Sequence, residues 1–216
     1  METIINKKIK NYIPPAHWDF LTPLYDRGCV LLGFGRRFRL GIIQSLNLTG
    51  AERILDAGCG TGTSLLMVKK LYPEVAAEGL DPDEKALAIA REKSLKNNVS
   101  VILHGGIMDD MPFENNTFDV VVSSLVFHHL EKGAKIASLR ECLRVLKPKG
   151  RMLLVDFGPP GHSPVSRILS KIFSLFESIE DGREGKIPLL MLDVGFSGVN
   201  EVGRYLHGIS FYEGYK

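Results

Sequence analysis

Arg53-Ile54-Leu55-Asp56-Ala57-Gly58-Cys59-Gly60-Thr61-Gly62 is the stretch on which the reading of this chain turns. A short β-prone run ends in an acid. Three glycines at alternate positions follow, and Thr63 to Leu71 then reads as a helix. Alternate glycines let a backbone turn tightly and approach a ligand closely. The helix start beyond Gly62 brings N–H groups and a positive dipole end. In open α/β sheets ligands bind at this place, outside the carboxyl end of a strand. A dinucleotide fingerprint would read G-x-G-x-x-G, and here the third glycine comes one position early.

Working outward, Ala76 to Leu80 is a second strand that ends at Asp81, followed by a helix over Pro82 to Asn97. An acid there suits both hydroxyls of a ribose, or the cap of the next helix. Val99 to Leu103 is a third strand. Phe118 to Ser123 is a fourth, with Val120-Val121-Val122 apolar toward both faces. Leu130 to Leu146 is a helix stopped by Pro148 and Gly150, and Arg151 to Phe157 is a fifth strand. The alternation predicts an α/β fold with a mostly parallel sheet and right-handed crossovers.

After the loop Gly158-Pro159-Pro160-Gly161, apolar residues from Val165 to Ile179 repeat at three and four. Lys186 to Val194 is a further helix closed by Gly195. Val199 to Leu206 and Ile209 to Tyr215 form a final hairpin. Ahead of the first strand, Trp18 to Leu32 and Arg36 to Leu46 have helical spacing, with Leu40, Ile43 and Leu46 on one face.

The 216 residues suit one domain, or one with a small appendage. Lys plus Arg is 27 against 25 for Asp plus Glu, a balance that gives no support to a nucleic-acid binder. The region before Gly41 is locally basic, and Arg36, Arg37 and Arg39 are candidates to face an anionic acceptor. Cys29, Cys59 and Cys142 are odd in number and contain no C-x-x-C, so neither a disulfide framework nor a cysteine metal site is expected. The six histidines show no ligand spacing beyond the adjacent pair His128-His129, and no metal is expected. No apolar run reaches the length of a membrane span. The expected place is the cytoplasm, peripheral at the inner membrane.

The whole of Ile54-Leu55-Asp56-Ala57-Gly58-Cys59-Gly60-Thr61-Gly62 resembles motif I of the class I S-adenosylmethionine-dependent methyltransferases. Gly79-Leu80-Asp81-Pro82 resembles their second motif, and Met111-Pro112-Phe113 with Phe118-Asp119-Val120-Val121 resembles the stretch through their fourth strand. Arg140 to Gly150 resembles the helix and turn before their fifth. Within that family, Pro23-Leu24-Tyr25-Asp26 and Gly33-Phe34-Gly35-Arg36 resemble the front of the type 11, ubiquinone/menaquinone C-methyltransferase-like group. The resemblance implies a Rossmann-like seven-stranded, mostly parallel sheet with helices on both faces and the last strand antiparallel. It also implies a helical lid over 1–49 and a cofactor domain over 50–216, with an apolar helical insertion near 162–190.

For the site, the resemblance implies S-adenosylmethionine as cofactor. Gly58, Cys59, Gly60 and Gly62 line its methionine end, and Asp56 is oriented toward the amino group. Asp81 holds the ribose, with Pro82 near the adenosine. Ser123 and Ser124 lie beside the transfer site. Many relatives carry an adenine-binding acid where this chain has Ile107. Ile107 and Met108 are still expected to line the cofactor, with Asp109, Asp110 or a backbone carbonyl meeting the adenine amine. The candidate catalytic residues are His128 and His129, as a base for a carbon or phenol acceptor, and Tyr25 as a lid. The expected acceptor is a small apolar molecule: a quinone precursor, a phenol or a lipid. A phospholipid N-methyltransferase and a non-catalytic cofactor-binding partner protein are the alternatives. A monomer or homodimer in shallow contact with a membrane surface is expected.

Overall fold

The structure is a computed structural model that describes residues 33–161 and 179–216. Tyr25, the Trp18–Leu32 segment and most of the Val165–Ile179 segment lie outside the described residues. The strands form one seven-stranded sheet in the order Ile102–Gly105, Ala76–Asp81, Arg53–Ala57, Phe118–Ser124, Leu146–Phe157, Ile209–Tyr215, Ser197–Tyr205, with helices on both faces. The chain divides into two compact units, one ending at Pro112 and one running Phe113–Lys216.

In the first unit, α1 (Arg36–Ser45) leads to β1 (Arg53–Ala57), α2 (Thr63–Leu71), β2 (Ala76–Asp81), α3 (Glu84–Lys96) and β3 (Ile102–Gly105). β1 pairs parallel with β2, and β2 parallel with β3. Ile54, Leu55, Asp56 and Ala57 are all buried, as a strand covered on both faces requires. α1 buries Phe38, Ile42 and Ile43, with Leu46 just beyond, while Leu40 is only half-buried. Glu78, buried on β2, is held by Arg53 Nε of β1 at 2.6 Å and His104 Nε2 of β3 at 2.8 Å.

The third strand begins at Ile102 rather than Val99. Val99 is used in the turn that ends α3: its N–H donates to Ser94 O at 3.0 Å, and Ser94 Oγ donates to Val99 O. Asn98, at φ +50°, makes the left-handed reversal, so pairing starts only where Ile102 meets Glu78.

In the second unit, β4 (Phe118–Ser124) pairs parallel with β5 (Leu146–Phe157). β7 (Ile209–Tyr215) runs antiparallel to both β5 and β6 (Ser197–Tyr205). A 3-10 turn over Phe127–His129 precedes α4 (Lys132–Val145), where the sequence suggested one helix from Leu130. α4 buries Lys135, Ser138, Leu139, Cys142 and Val145, a three-four repeat along one face. It stops at Val145, and β5 starts directly at Leu146. Pro148 disfavours helical backbone at Lys147 and cannot donate into a helix. α5 (Glu180–Arg183) and α6 (Ile187–Val194) follow, α6 starting with Pro188 in its first turn and ending at Gly195 with φ +110°.

Candidate cofactor site and buried histidine pair

The glycine turn of the first unit uses its amides internally. Gly58 and Cys59 N–H both donate to Leu80 O, at 2.8 and 3.1 Å. Gly60 N–H donates to Asp81 Oδ2 at 2.8 Å, and Gly62 N–H to Cys59 O at 2.9 Å. These four amides are therefore paired within the fold and are not offered to a phosphate. What the turn presents instead is acid. Asp56 and Asp81 are 5% and 6% exposed.

Burial, with the Asp81 carboxylate beside it, pushes Asp56 up to about 7 against the pull of Arg39. Burial likewise pushes Asp81 up to about 6, although the Asp83 and Gly60 amides oppose it. Such a pair is relieved by a cationic group and aggravated by an anionic one. A Cβ at Gly60 would meet nothing within 4 Å, so space for a ligand begins at the turn itself. The residues present thus fit a ligand with positive charge and hydroxyls, and do not fit a pyrophosphate.

Asp81 is not the helix cap. That work falls to Asp83, whose Oδ1 accepts from Lys85 and Ala86 N–H at 2.9 and 3.3 Å. Asp81 Oδ1 accepts from Asp83 N–H at 2.9 Å. A carboxylate offers about four lone-pair positions. Two are occupied by these amides, which leaves two for a pair of vicinal hydroxyls.

The remaining expected contacts are distributed as follows. Cys59 Sγ is turned onto Gly79, where a Cβ would stand 2.7 Å from it, and is buried. The same thiol donates to Gly60 O at 3.8 Å, inside the turn. Pro82 is half-buried directly after Asp81. Ile107 is half-buried and bridges to Asp110 through the backbone, Met108 is buried, Asp109 is half-buried and Asp110 is exposed. Arg39 does not stand with the exposed Arg36 and Arg37. Its Nη1 donates to Ser64 Oγ at 3.2 Å, in the first turn of α2.

Gly62 carries a local prediction. It holds φ +70°, and an added Cβ would lie 2.9 Å from Ala90 Cβ on α3. Gly62→Ala is expected to lower unfolding free energy by about 1–3 kcal/mol, read as a lower urea midpoint. An unchanged midpoint would mean the turn yields without strain.

The acid pair carries another. Both folded-state values are raised. The folded chain therefore holds protons that the unfolded chain has released, and stability falls as pH rises from about 4 to about 7. Asp56→Asn should remove most of this slope and stabilise the ligand-free chain at pH 8 by up to about 4 kcal/mol. Urea unfolding of both proteins at pH 5 and pH 8 checks this; equal slopes would contradict it.

In the second unit, the adjacent histidines differ in burial. His129 is exposed, while His128 is 7% exposed and its Nδ1 lies 2.8 Å from Asp156 Oδ1. His128 N–H also donates to Asp156 Oδ2 at 3.2 Å. Burial alone would raise Asp156. The charge and hydrogen bond of His128, with the Phe157 and His128 amides, outweigh burial and hold it below the usual carboxylate range. The two histidine ring centres lie 3.9 Å apart with their planes tilted by 46°, and Phe157 meets His128 edge-on at 4.9 Å. Nearby, Lys135 Nζ lies 2.7 Å from Asp181 Oδ2 and 5.7 Å from the centre of the Phe127 ring. Ser123 is buried and Ser124 half-buried at the end of β4.

Asp156 is the residue that sequence reasoning missed. It lies 28 residues along the chain from His128. The available signal was an acid near the end of an otherwise apolar strand, Met152 to Phe157. Among the described residues no group of histidines, cysteines and acids is placed to hold a metal ion.

Comparison with known proteins bears on the fold and the family. A family model described as a methyltransferase domain matches residues 54–150. The chain is 34% identical over 145 residues to a ubiquinone/menaquinone biosynthesis C-methyltransferase UbiE of Syntrophotalea carbinolica, covering 66% of this chain and 60% of that protein. It is 32% identical over 162 residues to a demethylmenaquinone methyltransferase of Listeria monocytogenes, covering 72% of this chain and 67% of that protein. The chain thus spans only 60–67% of the length of these relatives. A methyltransferase structure from Thermotoga maritima, described as a possible histamine N-methyltransferase, superposes with a TM-score of 0.67 at 19% identity. That match covers 91% of this chain and 96% of the other, and at that identity it speaks for the fold alone. With the glycine turn, the paired acids and the strand order in place, the chain belongs to the class I S-adenosylmethionine-dependent methyltransferases, with homology to the UbiE/menaquinone group.

Proposed function

We propose that the chain methylates a ring carbon or hydroxyl of a small quinol-like acceptor, with His128 as general base. The observation that carries this reading is the buried contact of His128 Nδ1 with Asp156 Oδ1 at 2.8 Å. A carboxylate at Nδ1 holds the neutral ring's proton there and leaves Nε2 as the basic nitrogen. A phenol or ring carbon must lose a proton at or near transfer, whereas a neutral amine attacks without a base. The names of the relatives, demethylmenaquinone and ubiquinone/menaquinone methyltransferases, point the same way.

When bound, the cofactor supplies a methyl group already activated on a sulfonium. The chain's residues bind and orient. Asp56 faces the amino group, Asp81 takes the ribose hydroxyls, and Gly58, Cys59, Gly60 and Gly62 line the methionine end. Pro82, Ile107 and Met108 line the adenosine. Ser123, Ser124 and Tyr25 are assigned to the transfer site by the family resemblance alone. His128 Nε2 takes the acceptor's hydroxyl proton, and Asp156 stabilises the imidazolium that results. His129, exposed and tilted against His128, packs on its solvent side. An acceptor with an isoprenoid tail would place the chain peripherally at the cytoplasmic membrane surface.

The test is S-adenosylhomocysteine formation with a 1,4-naphthoquinol lacking the ring methyl, against phosphatidylethanolamine vesicles. Turnover of the quinol alone supports the reading. Turnover of the lipid amine alone overturns it in favour of N-methylation, and no turnover with either, by a protein that binds the cofactor, favours the non-catalytic alternative.

A further inference from the structure

We propose that Lys93, on the third turn of α3, is a positioning residue that presets the glycine turn for the amino-acid end of the cofactor. Its ammonium donates to Thr61 Oγ1 at 2.9 Å, Thr63 Oγ1 at 2.9 Å and Thr61 O at 3.2 Å. These partners bracket Gly62, so one side chain spans the last residues of the turn and the first residue of α2.

Three features make this more than a surface contact. Thr61 is 5% exposed, so the bond between Lys93 and its hydroxyl is shielded from competing water. Ala90, three residues earlier on the same face of α3, is the residue that Gly62 packs against. α3 therefore grips the turn at two points on one face, by close contact at Gly62 and by charge at Thr61 and Thr63. From the other side, Asp81 holds Gly60 N–H at 2.8 Å. The turn is braced at both ends of Gly60-Thr61-Gly62.

The placement also runs against helix electrostatics. A cation near the first turn of α2 opposes the helix dipole, and that turn has no acid and no side-chain cap to compensate. The three oxygens offset part of that cost. An arrangement that gives up dipole energy to hold a turn is expected where the turn's conformation matters. Preorganisation of this kind shows in ligand affinity, because the turn is ordered before the ligand arrives.

This inference rests on the reading of the glycine turn as the seat of the methionine end. Two ligands separate the two questions. S-adenosylhomocysteine carries the amino-acid end, and 5′-methylthioadenosine keeps the adenosine and lacks it. Calorimetric titration of the ligand-freed protein with each should show Lys93→Met weakening S-adenosylhomocysteine by about tenfold, with 5′-methylthioadenosine changed less than twofold. Lys93→Arg should recover most of the loss, since a guanidinium can reach the same oxygens. Thr63→Val removes one of the three partners with little change in volume, and should give a smaller loss of the same selective kind. Equal losses for both ligands would make Lys93 a general stabiliser and overturn the proposal, as would wild-type affinity in Lys93→Met. If Lys93→Met does not fold, Thr63→Val decides by the same ratio. If the wild-type protein binds 5′-methylthioadenosine and S-adenosylhomocysteine equally, the seat of the methionine end is wrong and the proposal falls with it.

Discussion

Asp156→Asn should lower quinol turnover by about 100- to 1,000-fold while leaving S-adenosylhomocysteine affinity within twofold, the range expected for loss of general-base function. The reasoning starts from a buried contact. His128 and Asp156 are 7% and 1% exposed, and the carboxylate accepts from both the ring and the backbone of His128. An amide at position 156 can no longer stabilise a charged imidazole, and it invites the other tautomer by donating to Nδ1. His128→Ala should cost a comparable factor, and the double variant little more, because the two residues act as one unit. Asp156 also accepts from Phe157 N–H at 2.7 Å, so folding must be followed alongside. His128→Gln keeps the size of the ring and serves as the control for packing. A variant that folds, binds cofactor and keeps more than a third of wild-type turnover would remove the base from the account.

Asp81→Ala should weaken S-adenosylhomocysteine binding by about 100-fold or more. Each hydrogen bond to an ionised group contributes about 1.5–3 kcal/mol, and the substitution removes two ribose contacts along with the brace on Gly60. Asp81→Asn separates these effects. It keeps an acceptor oxygen for one of the Gly60 and Asp83 amides and loses the charge. It should fall between the wild type and Asp81→Ala. Direct titration reads both, and a change below threefold in Asp81→Ala would mean the ribose is held elsewhere.

The order of elements was legible in the sequence because each depends on local pattern. The apolar run Val120-Val121-Val122 announces a strand covered on both faces, and Gly195 announces a helix end. The glycine turn was legible for the same reason, and its position after β1 followed from the strand that precedes it. Boundaries were less so. Val99 is β-prone, but Ser94 and Asn98 draw it into the end of α3, and that outcome depends on side chain-to-backbone bonds that pattern does not encode.

The site was legible in part. Asp56, Asp81 and the glycines could be placed because they sit at strand ends. The choice between Asp81 and Asp83 as helix cap turned on which carboxyl the Lys85 and Ala86 amides face. The inward turn of the loop amides could not be read at all, since their partner is Leu80 O on a neighbouring strand. The same holds for Asp156 and Lys93, whose partners lie 28 and about 30 residues away. Residues joined by tertiary contact leave no periodic trace, and the His128-His129 pair in sequence gave no sign of which ring is buried.

The central claim is that the paired acids and the glycine turn receive S-adenosylmethionine. Calorimetric titration of the purified, ligand-freed protein with S-adenosylmethionine, S-adenosylhomocysteine and NAD tests it most directly. The account predicts micromolar binding of the first two and none of NAD. Binding of NAD, or of neither sulfur ligand by a folded sample, would contradict it.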